Sequence, residues 1–314
     1  MSHESQQGYR TGRWSVMRLE WLAAAVALTA WGSVYGAIKV ALTGFAPAEL
    51  AFIRLVVGAL VLSLFAALGR RTGWDRLTRQ RSCGDYLHIS VIGMIGFVAY
   101  WQLLNLGQQT VQSGAASLII NTTPALAAVM AVSFLHERLL WQGWVGIGTS
   151  FVGVSLISLH RGDTGRLELS RGTLALVAAA FVHALHFVYQ KRVLRRLSPF
   201  EVTFGSMLVG AVVMTPFVSS ILDSMRNAQP VALAAAAYLG VFPSAIAHFA
   251  WAYVLSTVPA ARATSLLTLV TPIAVAVGVG YFNEPMTVTM VMGGVLAIVG
   301  VVLVQRGYTQ KRRA

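Results

Sequence analysis

Charge is scarce in this sequence. Only 11% of the 314 residues are Asp, Glu, Lys or Arg, and only 11 residues are acidic. A soluble domain of this length needs far more charge to cover its surface, so the composition excludes an ordinary soluble globular protein. Cysteine is scarcer still, because Cys83 is the single one, and this rules out an intrachain disulfide.

Long apolar runs fill the chain instead. Hydrophobic residues make up 56% of it, and the mean hydropathy is +0.67. A membrane-spanning helix needs roughly 20 consecutive apolar residues, and runs of that length leave no room for a separate soluble domain. The sequence therefore predicts an all-α membrane protein with ten transmembrane helices, at 19–41, 47–68, 86–109, 113–135, 139–159, 171–190, 199–222, 231–256, 262–282 and 286–304.

The basic residues predict the orientation. The net charge of +13 is also typical of nucleic-acid-binding proteins, but these residues lie in short connections between apolar runs, where they set membrane topology. With both termini in the cytoplasm, eighteen fall on the cytoplasmic side: Arg10, Arg13, Arg18, Arg70, Arg71, Arg76, Arg79, Arg81, Arg138, Lys191, Arg192, Arg195, Arg196, Arg262, Arg306, Lys311, Arg312 and Arg313. Four fall outside: Arg161, Arg166, Arg171 and Arg226. We expect a multi-pass protein of the bacterial inner (plasma) membrane that contacts the lipid bilayer and no nucleic acid. Its cytoplasmic tails would be residues 1–18 and 306–314.

The second half of the chain repeats the first. Around Pro124 the sequence reads SGAASLIINTTPALAAV, and 148 residues later, around Pro272, it reads ARATSLLTLVTPIAVAV. Charged positions match at similar offsets: Lys39 with Lys191, and Glu137 with Glu284. This predicts two related units, 19–160 and 161–305, with five spans each. Because five is odd, the second unit enters the membrane upside down, and such inverted repeats are typical of secondary transporters.

Two prolines interrupt the repeat at corresponding places. Pro124 and Pro272 lie near the centres of the fourth and ninth predicted spans, each directly after a threonine. A proline inside a helix removes one hydrogen bond, and in a membrane the freed carbonyl is tolerated only against protein or a water-filled cavity. These paired helix breaks indicate a site at the midplane. A kink that serves only helix packing is the alternative.

Aromatic and polar side chains recur at helical spacing on the spans that would surround this site. They are costly toward lipid and tend to face a cavity or the bundle interior, although hydrogen bonding between helices is the other interpretation. The predicted substrate-binding residues are Trp31, Tyr35, Arg54, Tyr100, Trp101, Asn121, His183, His186, His248 and Trp251. Trp31 matches His183 and Tyr100 matches His248 in the repeat, so we expect these rings to face each other across the repeat axis.

Arg54 is the one charged residue of this set. It lies seven residues after Pro47, or roughly 10 Å along a helix, and an arginine at that depth needs an acceptor. It could bind a substrate carboxylate, or it could hold the carbonyl groups of a helix end. Both interpretations stay open at this point.

The motifs resemble those of EamA-type members of the drug/metabolite transporter superfamily. AWGSVYGAIKVAL at 30–42 and PAELAFIRLVVGAL at 47–60 resemble the start of that family's repeat, and residues 114–153 and 263–300 resemble its second half twice over. The resemblance implies ten helices in inverted five-helix repeats, and the export of amino acids or other small metabolites. The chain departs from the repeat where Arg54 is matched by Ser206.

The leading hypothesis is therefore a secondary transporter, not an enzyme, that exports neutral or aromatic amino acids by alternating access around a central cavity, without a cofactor. A carrier of phosphorylated or nucleotide-linked metabolites would need converging cations, and Lys39, Arg54 and Arg262 lie at different depths. An intramembrane metalloenzyme built on His183 and His186 would lack carboxylate or cysteine ligands nearby.

Coupling and assembly stay open. Only histidines offer a titratable group in the middle of the spans, so both facilitated diffusion and proton antiport remain. Small residues four apart allow close helix packing: Gly32 and Gly36, Gly146 and Ser150, and Gly293 and Ala297. We expect them to pack within a monomer, with a dimer interface as the alternative.

Overall fold

The structure, a computed structural model, describes residues 19–69, 82–135, 139–158, 160–161, 167–168, 170–258, 263, 266–284 and 286–307. The predicted cytoplasmic tails lie almost wholly outside these residues, as do the basic connection 70–81, Arg138 and Arg262. The predicted charge asymmetry is therefore argued from the sequence.

The described chain is almost entirely helical. Its helices are α1 (Leu19–Ala41), α2 (Pro47–Gly69), α3 (Cys83–Gln108), α4 (Ser113–Ile120), α5 (Thr123–Leu135), α6 (Trp141–Ser158), α7 (Arg171–Val193), α8 (Pro199–Met214), α9 (Ile221–Asn227), α10 (Pro230–Thr257), α11 (Val270–Phe282) and α12 (Val288–Arg306). Two-residue strands, β1 (His160–Arg161) and β2 (Leu167–Glu168), pair antiparallel between α6 and α7.

The helices have the length and composition of membrane spans. Within the described residues, seven helical stretches are long and apolar enough to cross a membrane. Five of them are α1, α2, α3, α7 and α10, the sixth is Ser113–Met130 in α4 and α5, and the seventh is Pro199–Phe217, which is α8 with the turn after it. The helices α11 and α12 are shorter apolar helices. Large apolar side chains remain on their outer surfaces, including Leu60, which is 64% exposed, and Val212, which is 73% exposed. In water such a surface would be unfavourable, whereas lipid accepts it. The chain is a multi-pass α-helical membrane protein.

Several helices begin at caps that the sequence encodes. The Ser82 and Ser198 hydroxyls each accept a hydrogen bond from the backbone N–H three residues on, and the carboxylates of Asp85 and Glu201 accept one from the backbone N–H of the capping serine. These capping boxes satisfy N–H groups that have no partner inside the helix. The C-terminal end of α11 is also capped. The helix stops at Asn283, whose φ of 49° is left-handed, a conformation that asparagine tolerates at a helix end.

Proline explains where the structure departs from the predicted spans. The span predicted at 199–222 is wrong in its last part: α8 ends at Met214, a short 3-10 turn covers Thr215–Phe217, and α9 follows as a separate helix. Pro216 has no N–H to continue the α-helical pattern.

Two further spans are not continuous helices. The predicted span 113–135 consists of α4 and α5, with a turn at Asn121 and Thr122. In the predicted span 262–282 a 3-10 turn at Leu267–Leu269 precedes α11. The first interruption ends two residues before Pro124, and the second ends three residues before Pro272. The Thr122 and Thr123 hydroxyls donate to the carbonyl groups of Ile119 and Ile120.

Two wider π-helical turns interrupt α3 and α10. They cover Gly93–Ala99 and Gly240–Ile246, segments that begin 147 residues apart. Turns of this kind free a backbone carbonyl and often lie next to functional sites.

The helix ends define two faces of the molecule. The Lys39 face holds the connections 42–46 and 109–112 and the C-terminal end of α11. There the Glu49 carboxylate accepts hydrogen bonds from Ser220 and Ser224 at 2.7 and 2.9 Å. The Lys191 face holds the connection 194–198 and the N-terminal end of α3.

Small residues bring α6 against α12. A Cβ atom on Gly153 would lie 2.5 Å from the Gly293 oxygen, and the Ser150 hydroxyl donates to the Ala297 carbonyl at 3.2 Å. Gly32 and Gly36 pack in the same way on Ile273 and Val277 of α11. These small residues therefore serve contacts within the chain.

Candidate functional site

A cavity lies between the helices at the level of the two interruptions. Its walls come from α1, α2, α3, α4, α5, α7, α10 and α11, together with the 3-10 turn before α11. The lining residues are Trp31, Val34, Tyr35, Arg54, Tyr100, Trp101, Leu104, Ser117, Ile120, Asn121, Thr123, Pro124, His183, His248, Leu267, Val270 and Thr271. The space that the centres of water molecules can occupy is about 50 Å³, enough for a few waters. A metabolite needs several times more, so binding one requires the helices to move apart.

Two pairs of rings form much of the wall. Tyr100 stacks on His183 with ring centroids 3.9 Å apart and planes 8° from parallel. Trp31 contacts His248 edge-on at 5.1 Å. The π-helical turn of α10 fixes the second pair, because the Trp31 indole N–H and His248 Nδ1 both donate to the Pro243 carbonyl, at 3.1 and 2.7 Å.

Arg54 is the cation of the cavity. Its side chain is 1% exposed and lies over the Trp101 ring, 4.0 Å from the centroid, a favourable cation–π distance. Nε donates to the Ser244 hydroxyl at 3.2 Å, whereas Nη1 is buried without a hydrogen-bond partner among the described residues. No carbonyl group of the described helix ends accepts from this guanidinium, so the structure does not give it the helix-tying contact that the sequence left open.

Neutral polar groups complete the lining. Both amide atoms of Asn121, at the break between α4 and α5, are buried and unpartnered within the described residues, and so is the Thr271 hydroxyl at the start of α11. Asn121 is 5% exposed and Thr271 is 2% exposed. Unmade hydrogen bonds at buried groups are costly, so this pair is suited to a ligand that supplies the missing partners.

Eight of the ten side chains predicted at the site, including Arg54, line the cavity. The other two are His186 and Trp251. His186 packs on Phe97, with ring centroids 5.8 Å apart, and Trp251 packs on Trp31 at 5.2 Å. Neither lines the cavity. Helical spacing places them three residues after His183 and His248, but their rings pack against Phe97 and Trp31 instead of reaching the cavity. Of the two prolines, Pro124 lines the cavity and Pro272 does not.

The structure does not assemble the sites that the other two hypotheses need. Within the described residues, no three His, Cys, Asp or Glu side chains are placed to hold a metal ion. Of the three cations considered for a phosphate, Arg54 lines the cavity, Lys39 is engaged by Glu284, and Arg262 lies outside the described residues.

Sequence reasoning missed a partly buried ion pair close to the cavity. Lys39 Nζ lies 2.7 Å from Glu284 Oε1, and the same carboxylate accepts the backbone N–H groups of Ser113 and Gly114 at 2.9 and 3.1 Å. Burial alone would raise the pKa of the Glu284 carboxyl, but these hydrogen bonds outweigh it and lower the pKa. The repeat had marked both residues as matched positions, which was the available signal.

A bundle of apolar helices around a buried polar cavity, with a cation that has no anionic partner among the described residues, is typical of a membrane protein that binds a small molecule. Comparison with known proteins identifies the family: the EamA-like transporter family matches the chain twice, at residues 18–159 and 170–306. The chain belongs to this family, and its relatives are transporters rather than enzymes.

Individual relatives are also named as transporters. The uncharacterized transporter YdfC of Bacillus subtilis is 34% identical over 86% of each chain. A probable terminal-alkyne amino-acid exporter of Streptantibioticus cattleyicolor is 31% identical over 93% of this chain and 95% of its own. One solved crystal structure has the same fold, with a TM-score of 0.64 and 18% identity over 90% of this chain and 94% of that one.

Proposed function

We propose that this transporter exports neutral and aromatic amino acids across the bacterial inner membrane, and that the cavity is its substrate site. The observation that carries the proposal is Arg54, a buried cation whose Nη1 has no partner in the described residues. The lining holds no acidic side chain, so the carboxylate of the substrate supplies the missing acceptor. A charge-assisted hydrogen bond of this kind is among the stronger ones in proteins.

The rest of the substrate has matching partners. Asn121 Oδ1 and the Thr271 hydroxyl are free to accept hydrogen bonds from an amino group. The rings of Trp31, Tyr35 and Tyr100 line the cavity, where they offer apolar contact for a flat side chain and the electron-rich character that attracts a cation. A phosphorylated substrate fits less well, because one cation faces the cavity where several are needed.

Alternating access between two inverted five-helix units, with ten spans in total, is the mechanism we infer. Four observations support it: the family model matches two stretches, the π-helical turns lie 147 residues apart, both interruptions precede a proline, and the ring contacts obey the repeat. In the repeat, Trp31 corresponds to His183 and His248 corresponds to Tyr100. The contact between Trp31 and His248 therefore corresponds to the contact between His183 and Tyr100. The domain limits 19–160 and 161–305, and a monomeric state, belong to the same proposal.

The orientation we propose places the Lys191 face in the cytoplasm, with both termini. It rests on the eighteen cationic residues on that side against four on the other. Export is the direction we infer because the relative from Streptantibioticus cattleyicolor is named an exporter.

Growth under toxic amino acids tests this function. A bacterial host that expresses the chain is exposed to a panel of amino acids and analogues at inhibitory concentrations. We expect resistance to aromatic and neutral compounds, lost in Arg54→Met. Resistance to phosphorylated compounds alone, or to no member of the panel, contradicts the proposal.

A further inference from the structure

One carboxylate joins two cavity-lining helices at the Lys39 face. Lys39 follows Tyr35 by four residues on α1, about 6 Å along the helix, and Tyr35 lines the cavity. Glu284 binds Lys39 through one oxygen and holds the first two N–H groups of α4 through both. Four residues after Ser113, on the same face of α4, Ser117 lines the cavity. The contact thus lies one helical turn beyond the cavity wall.

The chain is built to receive this carboxylate. The Glu284 side chain is 5% exposed and that of Lys39 is 30% exposed. Gly278 leaves the necessary space, because a Cβ atom there would lie 2.6 Å from Glu284 Oε2. The free N–H groups and partial positive charge at the start of α4 stabilise an anion. The carboxylate therefore has a lysine on one side and a helix N-terminus on the other.

The matching lysine at the opposite face has different partners. Lys191 donates to the carbonyl groups of Leu255 and Val258, the second at 2.9 Å, at the C-terminal end of α10. It thereby joins α7, which carries His183, to α10, which carries His248. No acidic side chain pairs with it among the residues that the structure describes.

The carbonyl groups that bind Lys191 have counterparts in the first half of the repeat. Tyr100 matches His248 at an offset of 148, and the same offset takes Leu255 and Val258 to Gly107 and Thr110, at the C-terminal end of α3. At matched positions of the repeat, Lys39 therefore binds a carboxylate, whereas Lys191 binds carbonyl groups at the end of α10, the counterpart of α3. Glu137, which the repeat matches with Glu284, lies outside the described residues.

We propose that Lys39 and Glu284 form the gate that closes the cavity toward the Lys39 face. The gate opens when Lys39 leaves Glu284 for the carbonyl groups at the C-terminal end of α3, as Lys191 is already bound to α10. This inference rests on the proposed alternating access. It adds the residues that control release of the substrate on that side.

Access of a thiol reagent to the cavity tests the gate. Cys83→Ser removes the native cysteine, and Val34→Cys places one in the cavity wall, where Val34 is 5% exposed. The full-length protein is placed in membrane vesicles of known orientation, and an impermeant maleimide is added at the Lys39 face. Glu284→Gln removes only the closed contact, so we expect labelling about tenfold faster, as for the loss of one charge-assisted hydrogen bond.

The second variant tests the exchange of partners. Lys39→Met removes the closed contact and also the bonds that Lys39 makes to α3 when open, so its labelling should rise less than that of Glu284→Gln. A rise greater than that of Glu284→Gln would overturn the exchange. If Glu284→Gln does not fold, Glu284→Asp, which keeps the charge and shortens its reach, should give a smaller increase.

Glu49→Gln is the matched control. Glu49 is another buried carboxylate of the Lys39 face, but it binds Ser220, Ser224 and the Ala46 N–H and has no lysine partner among the described residues. Its variant should be labelled like the parent. If Glu284→Gln is also labelled like the parent while it stays folded, the gate assignment is wrong. The assay needs no substrate, so intact transport with unchanged labelling rejects the gate alone. Faster labelling without amino-acid transport rejects the proposed substrate alone.

Discussion

Arg54→Met separates a binding role from a structural one by the sign of its effect on stability. Arg54 is buried with one hydrogen bond, from Nε to Ser244, and among the described residues no anion lies beside it. Leaving a charge in that position costs several kcal/mol before any compensation. Methionine keeps an unbranched apolar stem and removes the charge, so the substrate-free variant should melt at the same temperature as the parent or at a higher one.

Binding should change in the opposite direction. A hydrogen bond to a charged partner contributes about 1.5–3 kcal/mol, so removing the contact between Nη1 and a carboxylate should weaken binding roughly 10- to 150-fold. Arg54→Lys should recover part of this, because an ammonium supplies the charge but not the planar fork.

Thermal unfolding of the purified protein measures both effects at once. The midpoint without ligand reports stability, and its shift with added aromatic amino acid reports affinity. A lower midpoint for Arg54→Met, together with an undiminished ligand shift, would refute the reasoning. That result would make Arg54 a structural residue.

Four more outcomes follow from the structure. Gly153→Val should lower stability by about 1–3 kcal/mol in thermal unfolding, since its Cβ would meet Gly293, whereas Gly148→Ala, with nothing within 4 Å, should not. Alanine at Trp31, Tyr100 or His248 should change substrate preference in a growth panel more than protein yield; equal losses for all substrates would contradict this. Lys39 and the N–H groups of α4 favour the ionised form of Glu284 and lower its pKa from the ordinary value of a glutamate. The gate should therefore hold at neutral pH and open as the pH falls through the lowered pKa. The maleimide labelling rate of the parent, divided at each pH by that of Glu284→Gln to cancel the changing thiolate fraction, should then rise toward one. Cys83, which is exposed at the Lys191 face, should react with an impermeant thiol reagent in opened membranes but not from outside intact cells.

The helices could be predicted because apolar length is encoded locally. Predicted and observed ends of α1 and α2 agree within a residue, while α8 is shorter than predicted because the effect of Pro216 was overlooked. Spacing also placed eight of the ten predicted binding residues in the cavity wall. It could not show that His186 packs against Phe97 and does not line the cavity, since that depends on how α3 packs against α7.

The contact between Lys39 and Glu284 could not be predicted from the sequence. Lys39 and Glu284 are 245 residues apart, and each alone resembles an ordinary charge at a helix end. Only the packing of α1, α4 and α11 brings them together. The repeat showed that both positions have counterparts, but it did not show which residues touch.

Counterflow in proteoliposomes tests the central claim most directly. Vesicles that contain the purified protein are loaded with unlabelled phenylalanine, tryptophan or leucine, diluted, and given a trace of the labelled amino acid outside. If the protein carries these substrates through the cavity with their carboxylate on Arg54, label accumulates transiently in parent vesicles and not in Arg54→Met vesicles. No accumulation with any of the three amino acids, or equal accumulation in both proteins, would contradict the account.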